Sequence, residues 1–332
     1  MLDLVDRWLE WLVVSRGRSS STASKYRNYL VRLDRYLVTE GVALADVDSM
    51  VLEQFTGMVL FKDGLSARSR RAAIASVKGF FAWLCKDGAL TVDPATGLFY
   101  PKAGRRLPRP MMLDQAGLLF KQPDLDTFLG IRDLTILFVM AGCGLRVSDL
   151  TRLNVSNLAF YLDDKDQERL MIRVLGKGSR ERLVPAPDEA RLMLRAYLNH
   201  PELVLIDRTL EDGDQVLFVS LRNRMVPECD YVGEARRLLP GSINEMMVKY
   251  GEQAGIDRRA CHPHALRHLY GKELSEEDTN LLVQQGLLGH ADPKTTEIYS
   301  HIATRKMVAA VDKANPLRKI PNPISDLARA MK

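Results

Sequence analysis

Residues 100–110, YPKAGRRLPRP, divide this chain, because three prolines and a glycine in that stretch forbid a continuous helix and no apolar period replaces it. The residues before it must therefore build one core and the residues after it another. At 332 residues, 46% hydrophobic and 27% charged, the chain is long enough for two such cores and has an ordinary globular composition. The same stretch carries four positive charges, which suggests an interdomain linker lying along a polyanion.

The first part reads as helical. STASKYRNYLVRLDRYLVTEG sets Tyr26, Leu30, Leu33 and Leu37 at helical spacing, with Thr22 as the expected N-cap and Gly41 as the stop. SARSRRAAIASVKGFFAWLCKDG places Ile74, Val77, Phe81 and Leu84 on one face. Shorter helices are expected over 3–14 and 49–60. Residues 1–110 hold 17 Lys and Arg against 11 Asp and Glu, more than the whole net charge of +5. The excess is clustered: Arg16 and Arg18 with Lys25 and Arg27, then Arg68, Arg70 and Arg71 with Lys78 nearby, then Lys102, Arg105, Arg106 and Arg109. Such clusters form either a solvated face or a phosphate-binding one.

Beyond the linker, IRDLTILFVMAGCG predicts a buried helix ending at Gly142 or Gly144, and RLMIRVLGKGSRERLVPAP predicts two strands with Lys177 at the tip of the turn. Between them YLDDKDQER reads as an extra polar loop, which makes Lys165 a decoy. Helices are expected near 188–199, 241–254, 264–274 and 278–288. Residues 211–240 are irregular apart from VLFVS, and 222–240 read as an insertion. The tail predicts a small amphipathic helix using Ile324, Leu327 and Met331. The apolar run Leu134 to Cys143 is about half a membrane span. The acidic start MLDLVD differs from a secretory leader, and Cys85, Cys143, Cys229 and Cys261 form no C-x-x-C pair. A cytoplasmic location with inert thiols is expected.

Five of the six histidines fall between His262 and His301, three of them within HPHALRH. In chain order the chemistry-bearing residues are Arg146, Lys177, His264, Arg267, His290 and Tyr299. Two arginines can grip non-bridging phosphate oxygens with planar forks. Tyrosine is protonated at neutral pH and needs a base or a cationic field to act as a nucleophile. Histidine can supply that base, and lysine can donate a proton to a departing oxygen.

This ordered set resembles the tyrosine recombinase (phage integrase) family, particularly its Xer-like two-domain members. The resemblance covers nearly the whole chain: Ser19, Thr22 and Tyr26 in the first long helix, DPATGLFYPK before the linker, G-L-R-x-S-D-L, the hairpin lysine, H-A-L-R-H, L-L-G-H and I-Y-S-H. It implies a fold that is mainly α with a small antiparallel β-sheet. Residues 1–99 would be an all-helical core DNA-binding domain, 100–110 a basic linker, 111–310 a mixed α+β catalytic domain, and 311–332 a tail exchanged between protomers or folded onto its own domain. The two domains would close around duplex DNA.

The implied activity is site-specific recombination of double-stranded DNA through a 3′-phosphotyrosyl bond and a Holliday junction, in integration, excision or resolution. Arg146 and Arg267 would clamp the scissile phosphate, while His264 and His290 would assist by hydrogen bonding and proton transfer. Lys177 would be the general acid and Tyr299 the nucleophile, with Asp149 a supporting carboxylate. A homotetramer on synapsed, nucleoid-associated DNA, accessory or directionality factors, and no cofactor or metal are implied with it.

Three rivals stand beside this reading. His264 and His268, four apart, could share a metal ligand, although Ala265, Leu266 and Arg267 stand where H-E-x-x-H carries its carboxylate. A type IB topoisomerase would use the same chemistry without pairing two sites. A DNA-binding regulator would need the basic helices alone.

Overall fold

The computed structural model describes residues 1–104, 111–176, 181–223, 225–289, 302–320, 322 and 324. It divides into two compact units, Met1–Leu107 and Pro108–Lys332.

The first unit is helical. Its elements are α1 (Leu2–Val14), α2 (Ser20–Glu40), α3 (Ser49–Gln54), α4 (Leu60–Lys62) and α5 (Ala67–Lys86). Leu30, Leu33 and Leu37 of α2 and Ile74, Val77, Phe81 and Leu84 of α5 all enter one core, as their spacing predicts. Gly41 ends α2 in the left-handed conformation, φ 67°. The N-cap differs from expectation: Ser19, three residues before Thr22, accepts the Thr22 N–H. The helix expected over 49–60 is interrupted by a π-helical turn at Phe55–Val59. Leu52, Phe55 and Leu60, on either side of and at the start of that turn, are all at zero exposure.

The second unit begins with α6 (Leu113–Phe120), α7 (Phe128–Cys143) and α8 (Val147–Thr151), followed by β1 (Leu158–Leu162), β2 (Glu168–Leu175) and β3 (Glu181–Ala186). Then come α9 (Asp188–Leu198), α10 (Pro201–Val204), α11 (Pro240–Gln253), α12 (Pro263–Glu276), α13 (Leu281–Leu288), α14 (Ile302–Ala314) and α15 (Pro316–Lys319). The sheet is antiparallel in the order β1-β2-β3, with Leu158 opposite Ile172 and Leu170 opposite Ala186.

The sheet therefore has one strand more than the sequence suggested. The polar stretch YLDDKDQER is the end of β1, a tight turn and the start of β2. Asp163 builds the turn by accepting the Lys165 and Gln167 N–H groups at 2.9 and 3.0 Å, and Asp166 takes the left-handed φ of 56°. Lys165 lies in that turn.

VLFVS is buried but stays outside the three-stranded sheet. Its backbone groups are satisfied by isolated bridges and loop backbone at Leu153, Arg208, Arg236 and Leu238, and by the Arg132 guanidinium and the Tyr197 hydroxyl. Within 222–240, Glu228–Asp230 and Gly233–Arg236 form short 3₁₀ turns, and Arg237 bonds the Thr151 and Leu153 carbonyls at 3.1 and 3.2 Å behind α8.

α7 is the axis of this unit, buried almost all round. Gly142 allows close approach: a Cβ there would lie 2.6 Å from Pro187 Cγ and 3.1 Å from Leu317 Cδ1. The described residues beyond α14 pack on this same unit. Leu317 and Ile320 are buried in its core with Ile324 against it, Asn315 donates to the buried Glu189 at 2.7 Å, and Lys319 reaches Glu273 at 2.8 Å. Leu327 and Met331, the other residues of the expected tail helix, lie outside the described residues.

Truncating Leu317 to Ala should leave a cavity against α7 and destabilise the second unit by about 2–5 kcal/mol in urea unfolding. A change within ~0.5 kcal/mol, the usual size for a surface substitution, would show that α15 is not part of the core.

Candidate active site

Two helix ends meet in the second unit. α7 stops at Gly144 and α13 at Gly289, both left-handed, with φ of 60° and 62°. A helix C-terminus exposes carbonyls that lack intrahelical partners and carries the negative end of the dipole. Guanidinium groups occupy both ends. Arg267, on the inner face of α12, donates through Nη1 to the Gly144 carbonyl and through Nη2 to the Leu288 carbonyl. Arg146, the residue before α8, donates to the Gly289 carbonyl at 3.2 Å.

Gly144 is required twice over at this junction. Its backbone is left-handed, and a Cβ there would sit 2.2 Å from the ring of the fully buried Tyr270.

Asp149 lies one turn into α8, buried, with its Oδ2 3.7 Å from Arg146 Nη1. The closest cation to it is one the sequence reading missed: Arg182 on β3, whose Nη2 stands 2.8 Å from the same oxygen. An arginine on a strand face carries no motif of its own. The available signal was its place five residues after Lys177, at the base of the predicted hairpin.

Two guanidinium groups thus share one carboxylate, and Arg267 feels its charge at longer range. Burial, then the neighbouring Arg146 and Arg182 charges, depress the Arg267 pKa to about 10 against the pull of Asp149. Arg267 remains charged at neutral pH, so this cluster of described residues carries an excess of positive charge suited to an anion.

His264 stands on the first turn of α12, one helical step from Arg267, open to solvent on one side. Partial desolvation lowers its pKa, followed by the charges of His268, Arg267, His262 and Arg146. His262 caps α12, its Nδ1 accepting the Ala265 N–H at 3.1 Å, and desolvation lowers its pKa as well. Both imidazoles are neutral at pH 7, which suits a hydrogen-bonding or proton-accepting role.

The structure therefore brings Arg146, Asp149 and Arg267 together with His264 nearby. Lys177, His290 and Tyr299 lie outside the described residues, although Gly289 immediately precedes His290. Among the described residues no three His, Cys, Asp or Glu side chains converge as a metal-binding group.

The basic residues of the first unit divide into two groups. Arg18, Lys25 and Arg68 are exposed near helix starts. Others are held within the unit: Arg27 pairs with Asp6 at 2.8 Å, Arg16 covers Trp11, and Arg70 covers Phe61. Arg71 and Lys78 both face the Tyr100 ring while bonding the Pro101 and Thr96 carbonyls at 3.2 and 3.0 Å. Arg105 and Arg106 lie outside the described residues. Neither α2 nor α5 carries an acidic residue in its first turn, and Arg68 and Arg70 stand in that of α5. Cations at the positive end of a helix dipole are unfavourable unless an anion joins them.

The depressed histidine pKa values set a pH dependence. An unfolded histidine takes up its proton as pH falls through about 6.5, whereas His262 and His264 in the folded chain resist until lower pH, so stability present above 6.5 is lost below it. Denaturant unfolding should thus show a drop from pH 7.5 to 5.5 that is smaller in His262→Asn/His264→Asn. His262→Ala alone should cost about 1 kcal/mol at pH 7.5 through the lost cap, and His262→Asn, which can still cap, much less.

Comparison with known proteins agrees with this architecture. Residues 111–306 match the phage integrase family and residues 5–88 match the phage integrase N-terminal SAM-like domain. The chain is 30% identical over 313 residues to tyrosine recombinase XerD of Proteus mirabilis, covering 94% of this chain and 93% of that one. It is 34% identical over 316 residues to tyrosine recombinase XerC of Pseudomonas fluorescens, covering 95% and 96%. In fold it resembles XerH recombinase bound to difH substrate (TM-score 0.61, 17% identity, covering 92% and 83%). It equally resembles lambda integrase residues 75–356 bound to DNA (TM-score 0.61, 17% identity, covering 96% and 98%). With both units matched and full-length relatives at this identity, the chain belongs to the phage integrase family and is a tyrosine recombinase.

Proposed function

We propose that this recombinase acts on specific double-stranded DNA sites through Arg146, Lys177, His264, Arg267, His290 and Tyr299, with Asp149 in support. The observation that carries the reading is the excess positive charge of the Arg146–Arg182–Arg267 cluster at the Gly289 turn, which the Asp149 carboxylate offsets only in part. A scissile phosphodiester supplies further negative charge. The two arginines then stabilise the charge on its non-bridging oxygens, which grows in the transition state; losing one such donor costs about 10²–10³ in rate.

Tyr299 Oη attacks phosphorus and the bond to the 5′ oxygen breaks. Its proton passes to a neutral histidine, His264 or His290, and Lys177 protonates the leaving oxygen. One phosphodiester replaces another, so the energy of the broken bond is held in the adduct and the strands rejoin without ATP. Strand exchange through a Holliday junction within a homotetramer on synapsed, nucleoid-associated DNA belongs to the same reading, with accessory factors setting direction. It places the chain in integration, excision or resolution, the work of mobile genetic elements among others.

Residues 1–99 form the core DNA-binding domain in this proposal, followed by the linker at 100–110, the catalytic domain at 111–310 and the tail at 311–332. Arg18, Lys25 and Arg68 are the leading phosphate contacts. Arg16, Arg27, Arg70, Arg71 and Lys78 already have partners within the unit and contribute while keeping or exchanging them.

Nicked duplex fragments from DNA flanking the gene, incubated in EDTA, should form an SDS-resistant adduct with the wild-type chain and none with Tyr299→Phe. An equal adduct in the variant would overturn the nucleophile assignment, and failure of two such sites to exchange strands would favour nicking and swivelling. Duplex binding should weaken linearly on a log–log salt plot, with Lys25→Ala and Arg68→Ala each reducing the slope by about one. Slopes matching wild type would remove these residues from the interface.

A further inference from the structure

Arg182 enters the site from β3, the strand directly after the segment bearing Lys177. Its side chain is 13% exposed, and its Nε is buried without a hydrogen-bond partner among the described residues. Two features distinguish it from an ordinary buried ion pair. One is the division of Asp149: Oδ2 lies 2.8 Å from Arg182 but 3.7 Å from Arg146, although Arg146 is only three residues away on the same turn. Arg146 keeps its side chain 35% exposed and gives its hydrogen bond to Gly289. The other is the seat of the guanidinium. Nε, Cζ and Nη1 of Arg182 lie 3.0 to 3.1 Å from where a Cβ on Gly289 would stand, so the group rests against the backbone turn that accepts from Arg146.

A buried carboxylate beside a single arginine draws it into a close, often bidentate pair. Here Arg182 fills that role and leaves the Arg146 fork open. We infer that Arg182 is a positioning residue for the recombination reaction: it occupies Asp149 and supports the Gly289 turn, so that Arg146 faces the phosphate instead of closing onto its own carboxylate. This rests on the proposed reading of Arg146 as a phosphate ligand. Arg182 itself acts through Asp149 and Gly289, where a Cβ would press on its guanidinium at 3.0 to 3.1 Å.

The test measures single-turnover adduct formation at saturating protein on the nicked site that the wild-type chain cleaves, with duplex affinity and unfolding midpoint recorded for each variant. Arg182→Ala should slow cleavage about 10–100-fold, as expected of a displaced catalytic group, while duplex affinity stays within about twofold. Arg182→Lys keeps the charge on Asp149 and should regain much of that loss, which also guards against misfolding in the alanine variant.

The decisive readout is the cycle with Asp149→Asn. If Arg182 works by occupying that carboxylate, the double variant cleaves at least as fast as Arg182→Ala alone. Losses that multiply, wild-type cleavage in Arg182→Ala, or a loss explained wholly by weaker DNA binding would overturn the inference. Absence of an adduct from the wild-type chain would instead overturn the proposed reading of the site, and this inference with it.

Discussion

The Asp149 carboxylate is the interaction on which the arrangement of the second unit's site depends. It is buried beside Arg146 and Arg182 and within the electrostatic reach of Arg267, and desolvated charges of one sign cannot be gathered without something to offset them. One carboxylate offsets part, and helix ends supply more. The carbonyls of Gly144, Leu288 and Gly289 point from two helix C-termini into the cluster and receive Arg267 and Arg146. The uncompensated remainder is positive, which is the field that the proposed phosphate ligand would meet.

That arrangement joins residues far apart in sequence through local structure. Arg146 and Gly289 are 143 positions apart, and Arg267 and Gly144 are 123 apart. Each pair is brought together because a left-handed glycine ends its helix abruptly and turns the last carbonyls toward the arginines. α7 can serve as the fixed support because it is buried almost all round, tied to α11 by Asp133 accepting the Tyr250 hydroxyl at 2.9 Å.

Much of this was legible in the sequence, for reasons particular to each element. The stripes of α2 and α5 show at a period of 3.6, and Gly144 and Gly289 come after the last apolar residues of their helices as C-terminal stops should. Arg146 and Arg267 stood in motifs whose order along the chain suggested phosphate chemistry, and the assignments of Lys177, His290 and Tyr299 still rest on that order. β1 was hidden because its last residues run into a charged turn made by Asp163, a local device without a hydrophobic signature. The π turn was hidden because Leu52, Phe55 and Leu60 keep the spacing of an ordinary helical stripe across it. Arg182 was hidden because its meaning lies in the distance to Asp149, and one sequence does not display distances.

The fit around Gly142 has a consequence for how such a chain can diverge. Pro187 and Leu317 fill the volume that any larger side chain at 142 would need, and they come from segments 45 and 175 positions further along the sequence. Substitutions at these three places are therefore coupled: growth at one is accommodated only by shrinkage at another. Leu317 is thereby tied to the helix leading to Arg146, and drift at these positions is expected to proceed in matched steps.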